Sequence, residues 1–177
     1  MQALAAMFLI DFSAYSHDEL KALAEQHLAG NLQPWEKNIW QFISSWFNPA
    51  YTHIAVTSSG STGPPKEIKH SKDALLNSAT MTRQALQLHH GDTALLCLPA
   101  NKISGMMMLV RSIYNRMPLY CIAPTTTPLR ELPANVKIQF AAFTPMQFSG
   151  ILSDSTQKKK AENIDKIILG GEGISSQ

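Results

Sequence analysis

The residues of this chain best suited to chemistry form a short loop rich in glycine, serine and threonine. Residues 57–66 read TSSGSTGPPK, so small hydroxyl side chains alternate with glycines and the run ends on a lysine. Glycine lets the backbone approach a ligand closely, and successive backbone N–H groups in such a turn can bind an anion. The hydroxyls add hydrogen-bond donors, and the lysine adds a compact positive charge. This composition favours the binding of a polyphosphate.

Clusters of Ser, Gly and Pro also occur as solvated linkers, so the flanking segments decide between the two interpretations. Upstream, residues 51–57 alternate in polarity and are rich in β-formers, which predicts a strand. Downstream, Ser71 can cap a helix with Leu75 and Ala79 on one face. A strand, a glycine-rich loop and a helix in this order are the setting of a phosphate-binding loop. The candidate phosphate-binding residues are Ser58, Ser59, Gly60, Ser61, Thr62, Gly63 and Lys66.

The order of residues differs from that in the P-loop of ordinary NTPases. Gly63 is followed by Pro-Pro-Lys rather than by Lys and then Ser or Thr. We therefore expect a phosphate loop of another kind.

Length and composition predict one globular domain without a membrane span. The chain has 177 residues, of which 45% are hydrophobic and 16% charged, and its net charge of +2 indicates no nucleic-acid partner. Asp11 cuts short the apolar run 7–10, and no stretch approaches the ~20 apolar residues of a spanning helix. Cys97 and Cys121 lie in apolar runs and are expected to be buried free thiols. These features predict a cytoplasmic protein without a structural metal site.

The predicted elements divide the chain into a helical lead-in, residues 1–50, and an α/β part, residues 51–177. In the lead-in, Ser16 and Glu19 form a capping box ahead of one helix, and Pro34 suits the first turn of another. From residue 51 onward predicted strands and helices alternate, which favours a mostly parallel sheet flanked by helices on both faces.

Four candidate segments each follow a predicted strand: 58–66, 99–105, Thr144-Pro145 and Gly170-Gly171. Because ligands collect beyond the carboxyl ends of parallel strands, we expect these segments to converge on one rim of the sheet. A helix is predicted from Ser104 to Asn115. The run Lys158–Lys160 is interpreted as a solvated loop rather than a nucleic-acid patch.

The loop Ser59–Lys66 resembles the signature loop of the adenylate-forming enzymes, and His70-Ser71 is also similar to that family. Residues 98–111 resemble the Leu-Pro…His-Ile-Ser-Gly…Arg segment of the o-succinylbenzoate–CoA ligases of menaquinone synthesis. Residues 144–147 and 167–172 are similar to their Pro-Thr-Gln and Leu-Leu-Gly-Gly-Ala segments. The resemblance runs from residue 51 to the end, and residues 1–50 match only loosely.

The resemblance implies an ATP-dependent ligase that adenylates a carboxylic acid and then forms its CoA thioester, with Mg²⁺ on the phosphates. Lys102 stands where those ligases carry His, and we expect it to orient the acyl carboxylate, although a solvated lysine is equally compatible. Glu172 stands where the resembled ligases usually carry a small residue. The candidate acyl-substrate and adenylate residues are Ser104, Gly105, Arg111, Thr144, Gly170, Gly171 and Glu172.

The segments that the resembled enzymes carry nearer their C-terminus have no counterpart before Gln177. These are the adenine-side loop, the ribose-binding aspartate, the hinge and the domain with the catalytic lysine. We therefore expect this chain to be the N-terminal part of a ligase that is inactive alone and whose partner is the missing C-terminal part. The alternatives are a non-catalytic nucleotide-binding or interaction module on the same scaffold, or a ligase for another aryl or fatty acid.

Overall fold

A computed structural model of the chain describes residues 7–57 and 66–170. The predictions for residues 58–63, 171 and 172 therefore lie outside the described residues. The described residues form strands β1 Met7–Asp11, β2 His53–Thr57, β3 Glu67–Ser71, β4 Ala94–Leu96, β5 Pro118–Ile122, β6 Ile138–Phe143 and β7 Ile164–Leu169. The helices are α1 His17–Leu28, α2 Pro34–Trp46, α3 Lys72–Leu86, α4 Ile103–Tyr114, α5 Pro145–Ser153 and α6 Ser155–Ala161, with a 3-10 turn at Pro128–Arg130.

The main sheet has five strands in the order β1-β5-β4-β6-β7. Strands β5, β4, β6 and β7 run parallel, and β1 pairs antiparallel with β5 at one edge. The predicted α/β class with a mostly parallel sheet is confirmed. Strand β1 also joins the first 50 residues to this sheet, so the lead-in supplies an edge strand as well as α1 and α2.

The predicted order of strand, loop and helix around residues 58–65 was wrong in one respect. A second strand, β3, follows the loop and pairs antiparallel with β2, Thr57 opposite Glu67 and His53 opposite Ser71. These two strands form a separate two-stranded sheet, so β2 does not belong to the parallel sheet. The alternation at residues 67–71 was missed because polar and charged residues dominate it. Ser71 does cap α3, through a 3.2 Å hydrogen bond from the Ala74 N–H to its hydroxyl.

Two hydrophobic clusters pack against opposite faces of the main sheet. In β4, Leu96 packs with the cluster formed by α1 to α4, whereas Leu95 packs with the cluster under α5 and α6. All three residues of β4 are buried, as expected of a central parallel strand that is covered on both faces. The covered faces leave the strand ends and the loops beyond them as the accessible parts of the sheet.

The interpretation of Lys158–Lys160 as a solvated loop was wrong. The three lysines lie in α6, and the ammonium group of Lys160 donates hydrogen bonds to the carbonyl oxygens of Leu129, Arg130 and Leu132 at 2.8, 3.0 and 2.6 Å. Lys160 therefore holds the 3-10 turn in place, while Lys158 and Lys159 are exposed.

Candidate functional site

Three of the four segments predicted to converge follow adjacent parallel strands. The turn at 97–102 follows β4, Thr144 follows β6 and Gly170 follows β7, and β6 pairs with both of its neighbours. The Gly170 N–H also donates a 3.1 Å hydrogen bond to the Phe143 carbonyl, which ties the ends of β6 and β7 together. The carboxyl ends of these three strands thus form one rim, which we call the site rim.

Thr57, the residue that precedes the fourth segment, is bonded to the site rim although its strand lies in the other sheet. The backbone N–H of Thr57, the last residue of β2, donates a 3.2 Å hydrogen bond to the carbonyl oxygen of Asn101. Residue 58, where the glycine-rich segment begins, therefore follows directly on a residue anchored to the turn after β4. A cavity of about 300 Å³ lies beside this junction. Its polar lining includes Asn38, Gln41, Ser45, His53 and Asn101.

A buried amide joins two parts of the site rim. The Gln147 side chain, 6% exposed, donates from Nε2 to the carbonyl oxygens of Cys97 and Thr125, both at 2.9 Å. Its Oε1 accepts the N–H of Thr144 at 3.1 Å, and the Thr144 hydroxyl accepts the N–H of Gln147. Gln147 was not among the sequence-predicted site residues. The available signal was a glutamine three residues after a threonine, the spacing of a capping box.

Two helices begin at the site rim and direct their N-termini toward it. Helix α4 follows β4, and its N-cap is Lys102, whose extended backbone has φ −110° and ψ 155°. The predicted start at Ser104 was wrong, since Ile103 is the first helical residue and Ser104 lies one residue inside the helix. Helix α5 begins after its N-cap Thr144. The free N–H groups and positive dipole end of such helices attract anions.

One candidate lysine, Lys66, lies at the end of the glycine-rich segment. The other, Lys102, lies at the site rim. Lys66 is exposed and directly precedes β3, and in the sequence it ends the glycine-rich segment that follows Thr57. Lys102 is partly exposed, its N–H donates to the Pro99 carbonyl at 3.0 Å, and its side chain makes no capping hydrogen bond. Its position at the start of α4 places its backbone at the rim.

The structure gives the two described candidate glycines different surroundings. A Cβ on Gly105 would lie 2.3 Å from the Pro99 carbonyl oxygen and 2.8 Å from that of Leu98, which real Cβ atoms do not tolerate. Gly105 therefore lets the first turn of α4 pack against the end of β4. Among the described residues, no atom lies within 4 Å of a Cβ built on Gly170.

Arg111 is not brought to the site rim with the other candidates. It lies eight residues into α4, about 12 Å from Ile103 along the helix axis. Its Nε donates a 3.2 Å hydrogen bond to the Thr82 hydroxyl of α3, and partial burial lowers the pKa of its guanidinium. A ligand would have to extend along α4 to meet it.

Residues 7–57 and 66–170 contain no group of three or more His, Cys, Asp or Glu side chains placed to hold a metal ion. Within the same residues, no helix combines the length and the apolar composition needed to cross a membrane. The groups described at the site rim are backbone N–H groups, helix N-termini, the hydroxyls of Ser104 and Thr144 and Lys102, which suit the binding of phosphate and carboxylate groups.

Residues 10–177 match the family model described as AMP-binding enzyme. A probable 2-succinylbenzoate–CoA ligase of Mycobacterium tuberculosis is 27% identical over 128 residues, which are 67% of this chain and 32% of that protein. The chain thus spans about a third of the length of this relative, corresponding to its N-terminal part.

Two solved structures share the fold. An acyl-CoA synthetase (AMP-forming)/AMP-acid ligase II-like protein from Dyadobacter fermentans aligns with 96% of this chain and 45% of its own, at 29% identity and a TM-score of 0.79. The o-succinylbenzoate coenzyme A synthetase of Bacillus subtilis, solved with ATP and a magnesium ion, aligns with 66% of this chain and 24% of its own. Its identity is 22% and its TM-score 0.56, so this likeness concerns the fold.

Proposed function

The chain belongs to the family of AMP-binding enzymes, and from this membership we propose that it forms the ATP-binding N-terminal part of an acid–CoA ligase. In the proposed reaction, a carboxylate oxygen attacks the α-phosphorus of ATP and pyrophosphate leaves. The thiol of CoA then attacks the acyl carbon, loses its proton and displaces AMP. The observation that carries the proposal is the Thr57–Asn101 hydrogen bond, because it joins Thr57, the residue before the glycine-rich segment, to the rim where two helices begin.

We assign the glycine-rich segment the role of binding the β- and γ-phosphates of ATP. Its hydroxyls and backbone N–H groups would donate hydrogen bonds to the phosphate oxygens, and Lys66 would add a positive charge at the exit of the loop. Mg²⁺ would arrive with ATP as part of the substrate. The residues assigned to this role are Ser58, Ser59, Gly60, Ser61, Thr62, Gly63 and Lys66.

We assign the N-terminus of α4 the role of binding the reacting carboxylate and the α-phosphate. Lys102 would orient the carboxylate by charge, and the N–H groups at the start of α4, next to Ser104, would stabilise the negative charge that builds up at phosphorus. Lysine supplies a point charge rather than the neutral imidazole of a histidine, so the substrate carboxylate must be ionised to bind there.

The proposed acid substrate is o-succinylbenzoate, which carries two carboxylates. Low-identity relatives bear that name, and Arg111, lying further along α4, offers a second cationic group for the far carboxylate. Thr144, Gly170, Gly171 and Glu172 would border the acyl group or the adenylate. Gly105 would contribute by bringing α4 close to the turn after β4. The proposal includes a cytoplasmic location, which the free buried thiols of Cys97 and Cys121 favour.

Binding of MgATP to the 177-residue chain, measured by calorimetry, tests the phosphate assignment. We expect Lys66→Ala and Ser61→Ala each to weaken binding by about tenfold, the usual effect of losing a charge-assisted hydrogen bond. The matched control is Lys69→Ala, since Lys69 is exposed and pairs with Glu67 on the same hairpin. If all three variants bound MgATP with equal affinity, the loop would not be part of the nucleotide site.

Carboxylate-dependent exchange between ATP and pyrophosphate tests the reaction and the acid. The assay uses the protein in its native form, whose intact mass is measured first. A mass well above 19.5 kDa supports the ligase, whereas a mass of 19.5 kDa favours a nucleotide-binding module without adenylation activity. Preference for a fatty acid over o-succinylbenzoate would overturn the substrate assignment. Unchanged KM and kcat in Lys102→Ala would overturn the role of Lys102.

A further inference from the structure

The hairpin of β2 and β3, which leads to and from the glycine-rich segment, is buried mainly through β2. Ile54 and Val56 of β2 are buried, whereas the side chains of residues 67–69 in β3 are exposed and those of residues 70–71 are half-buried. An isolated pair of strands is only marginally stable in water. The position of β3, and of Lys66 directly before it, therefore depends on the contacts at the two ends of the hairpin.

Lys72 lies at the end of the hairpin opposite to the glycine-rich segment. It directly follows β3 as the first residue of α3, and its N–H donates a 2.9 Å hydrogen bond to the carbonyl oxygen of Thr52, just before β2. Strand β2 rises by about 13 Å from His53 to Thr57, so the two ends of the hairpin lie about that far apart. We call the end at Lys72 the base of the hairpin.

The side chain of Lys72 binds the end of another helix. Its Nζ donates to the carbonyl oxygens of Trp46 and Asn48 at 2.6 and 3.0 Å and lies 5.8 Å from the centroid of the Trp46 ring. Trp46 is the last residue of α2, and at the end of a helix the carbonyl groups lack helical partners and the dipole favours a cation. Lys72 thus joins the base of the hairpin to α2 through its side chain as well as its backbone.

Lys72 occupies a position that does not suit a lysine by itself. The N-terminus of a helix carries a partial positive charge, so a cation in the first turn of α3 is unfavourable. Partial burial also lowers the pKa of the Lys72 ammonium group. The hydrogen bonds to the α2 carbonyl groups offset these costs. The lysine is therefore explained by its contact with α2 and not by the needs of α3.

We propose that Lys72 is a positioning residue for the phosphate loop, because it fixes the base of the hairpin while the Thr57–Asn101 hydrogen bond fixes the other end. Two fixed ends give β3, and Lys66 before it, one orientation relative to the site rim. Lys72 touches no phosphate and acts through the hairpin. This inference rests on the proposed function, since it concerns the binding of the β- and γ-phosphates of ATP.

Calorimetric titration of the 177-residue chain with MgATP and with AMP tests the proposal. In Lys72→Met, which retains most of the aliphatic stem, we expect the Kd for MgATP to rise about tenfold, the effect of losing hydrogen bonds from a charged group. The Kd for AMP, which lacks the β- and γ-phosphates, should stay unchanged. Lys72→Arg retains a charged donor and should bring the Kd for MgATP back to within about threefold of the parent value.

Lys69→Met is the matched control, because Lys69 is exposed on β3 of the same hairpin and pairs with Glu67. It should bind MgATP as the parent chain does. A circular-dichroism melt checks that each variant is folded. Lys72→Gln, which keeps a neutral donor, takes the place of Lys72→Met if that variant is unfolded, and its Kd for MgATP should rise at least about threefold.

The outcomes separate the inference from the proposed function. A Kd for MgATP in Lys72→Met equal to that of the parent would overturn the positioning role. Weakening of MgATP and AMP by the same factor would overturn it as well, since Lys72 would then support the fold as a whole. Absence of MgATP binding by the parent chain would overturn the proposed function and this inference with it.

Discussion

The backbone N–H of Thr57 and the carbonyl oxygen of Asn101 are joined by a 3.2 Å hydrogen bond, although the two residues belong to different sheets. Thr57 ends β2 of the two-stranded sheet, and Asn101 lies in the turn that follows β4 of the main sheet. The bond ties Thr57, the residue before the glycine-rich segment, to the turn that leads into α4. The proposed function requires such a connection between the phosphate loop and α4.

Replacing Thr57 by proline should weaken nucleotide binding more than stability. Proline lacks the N–H that Asn101 accepts, and this N–H does not take part in the β2–β3 ladder because it points to the other sheet. We expect the Kd for MgATP, measured by calorimetry, to rise about tenfold, the effect of one lost hydrogen bond in a positioned site. Thr57→Ala keeps the N–H and serves as the control. If alanine and proline had the same effect, the hydrogen bond would not position the loop.

Alanine should destabilise the fold at Gly105 but leave its stability nearly unchanged at Gly170. At Gly105 the new Cβ would overlap with backbone atoms of Pro99 and Leu98, which cannot rotate away, so we expect a loss of about 3 kcal/mol in the free energy of unfolding. At Gly170 the Cβ would meet no atom of the described residues within 4 Å, and the change should stay within about 0.5 kcal/mol. Urea unfolding of both variants provides the measurement. A stable Gly105→Ala variant would contradict the close packing of α4 on β4.

Glutamate in place of Gln147 should destabilise the fold in a pH-dependent way. A carboxylate would face the carbonyl oxygens of Cys97 and Thr125 in place of an amide donor, at a cost of about 3 kcal/mol. Burial and the two carbonyls should raise the pKa of the new carboxyl above its unfolded value of about 4.3. Stability is therefore least reduced below that value and falls as the pH rises through the raised folded pKa.

Urea unfolding of Gln147→Glu at about pH 4 and about pH 8, each compared with the parent chain, measures this effect. The control is Gln41→Glu, since Gln41 is exposed on α2 and should show little difference at either pH. An equal loss of stability at both pH values in Gln147→Glu would show that the buried amide is not held as the structure indicates.

The sequence predicted the elements whose signals are local and periodic. The capping box of Ser16 and Glu19 and the proline at the start of α2 identified both lead-in helices, because each signal acts within one helical turn. Alternating strands and helices after residue 51 likewise indicated the parallel sheet, since a parallel connection requires a crossover. The convergence of the turn after β4, Thr144 and Gly170 followed from that topology alone.

The features that the sequence did not predict depend on contacts between distant residues. Strand β3 has an exposed, charged pattern, Glu67 to Ser71, and becomes a strand only because β2 lies beside it. Lys160 looks like its exposed neighbours in sequence but meets carbonyls about thirty residues away. Gln147 and Asn101 owe their roles to hydrogen bonds across the fold. Arg111 was grouped with the site from resemblance, whereas its position along α4 brings it to Thr82.

The two cysteines should be inert toward thiol reagents while the protein is folded. Cys97 and Cys121 are fully buried, and burial raises the pKa of both thiols far above the usual value. Because the thiolate is the reactive form, we expect alkylation at about pH 8 to be slower than for a free thiol by a factor of at least about 10³. Ser149→Cys adds an exposed thiol on α5 as a reference that should react at once. Rapid modification of the parent chain in the absence of urea would contradict this burial.

Lys160 should stabilise the fold, whereas Lys159, its neighbour in α6, should not. In Lys160→Met the carbonyl oxygens of Leu129, Arg130 and Leu132 lose their shared donor, although the methionine retains most of the aliphatic stem. We expect the free energy of unfolding to fall by about 2 kcal/mol, the range for hydrogen bonds to a charged group. Lys159→Met removes the same charge from an exposed position and should change stability by less than about 0.5 kcal/mol.

Urea unfolding of the two variants at the same salt concentration separates local hydrogen bonding from net charge. An equal loss in both would show that the charge of α6, and not the contacts of Lys160, is what stabilises this face of the sheet.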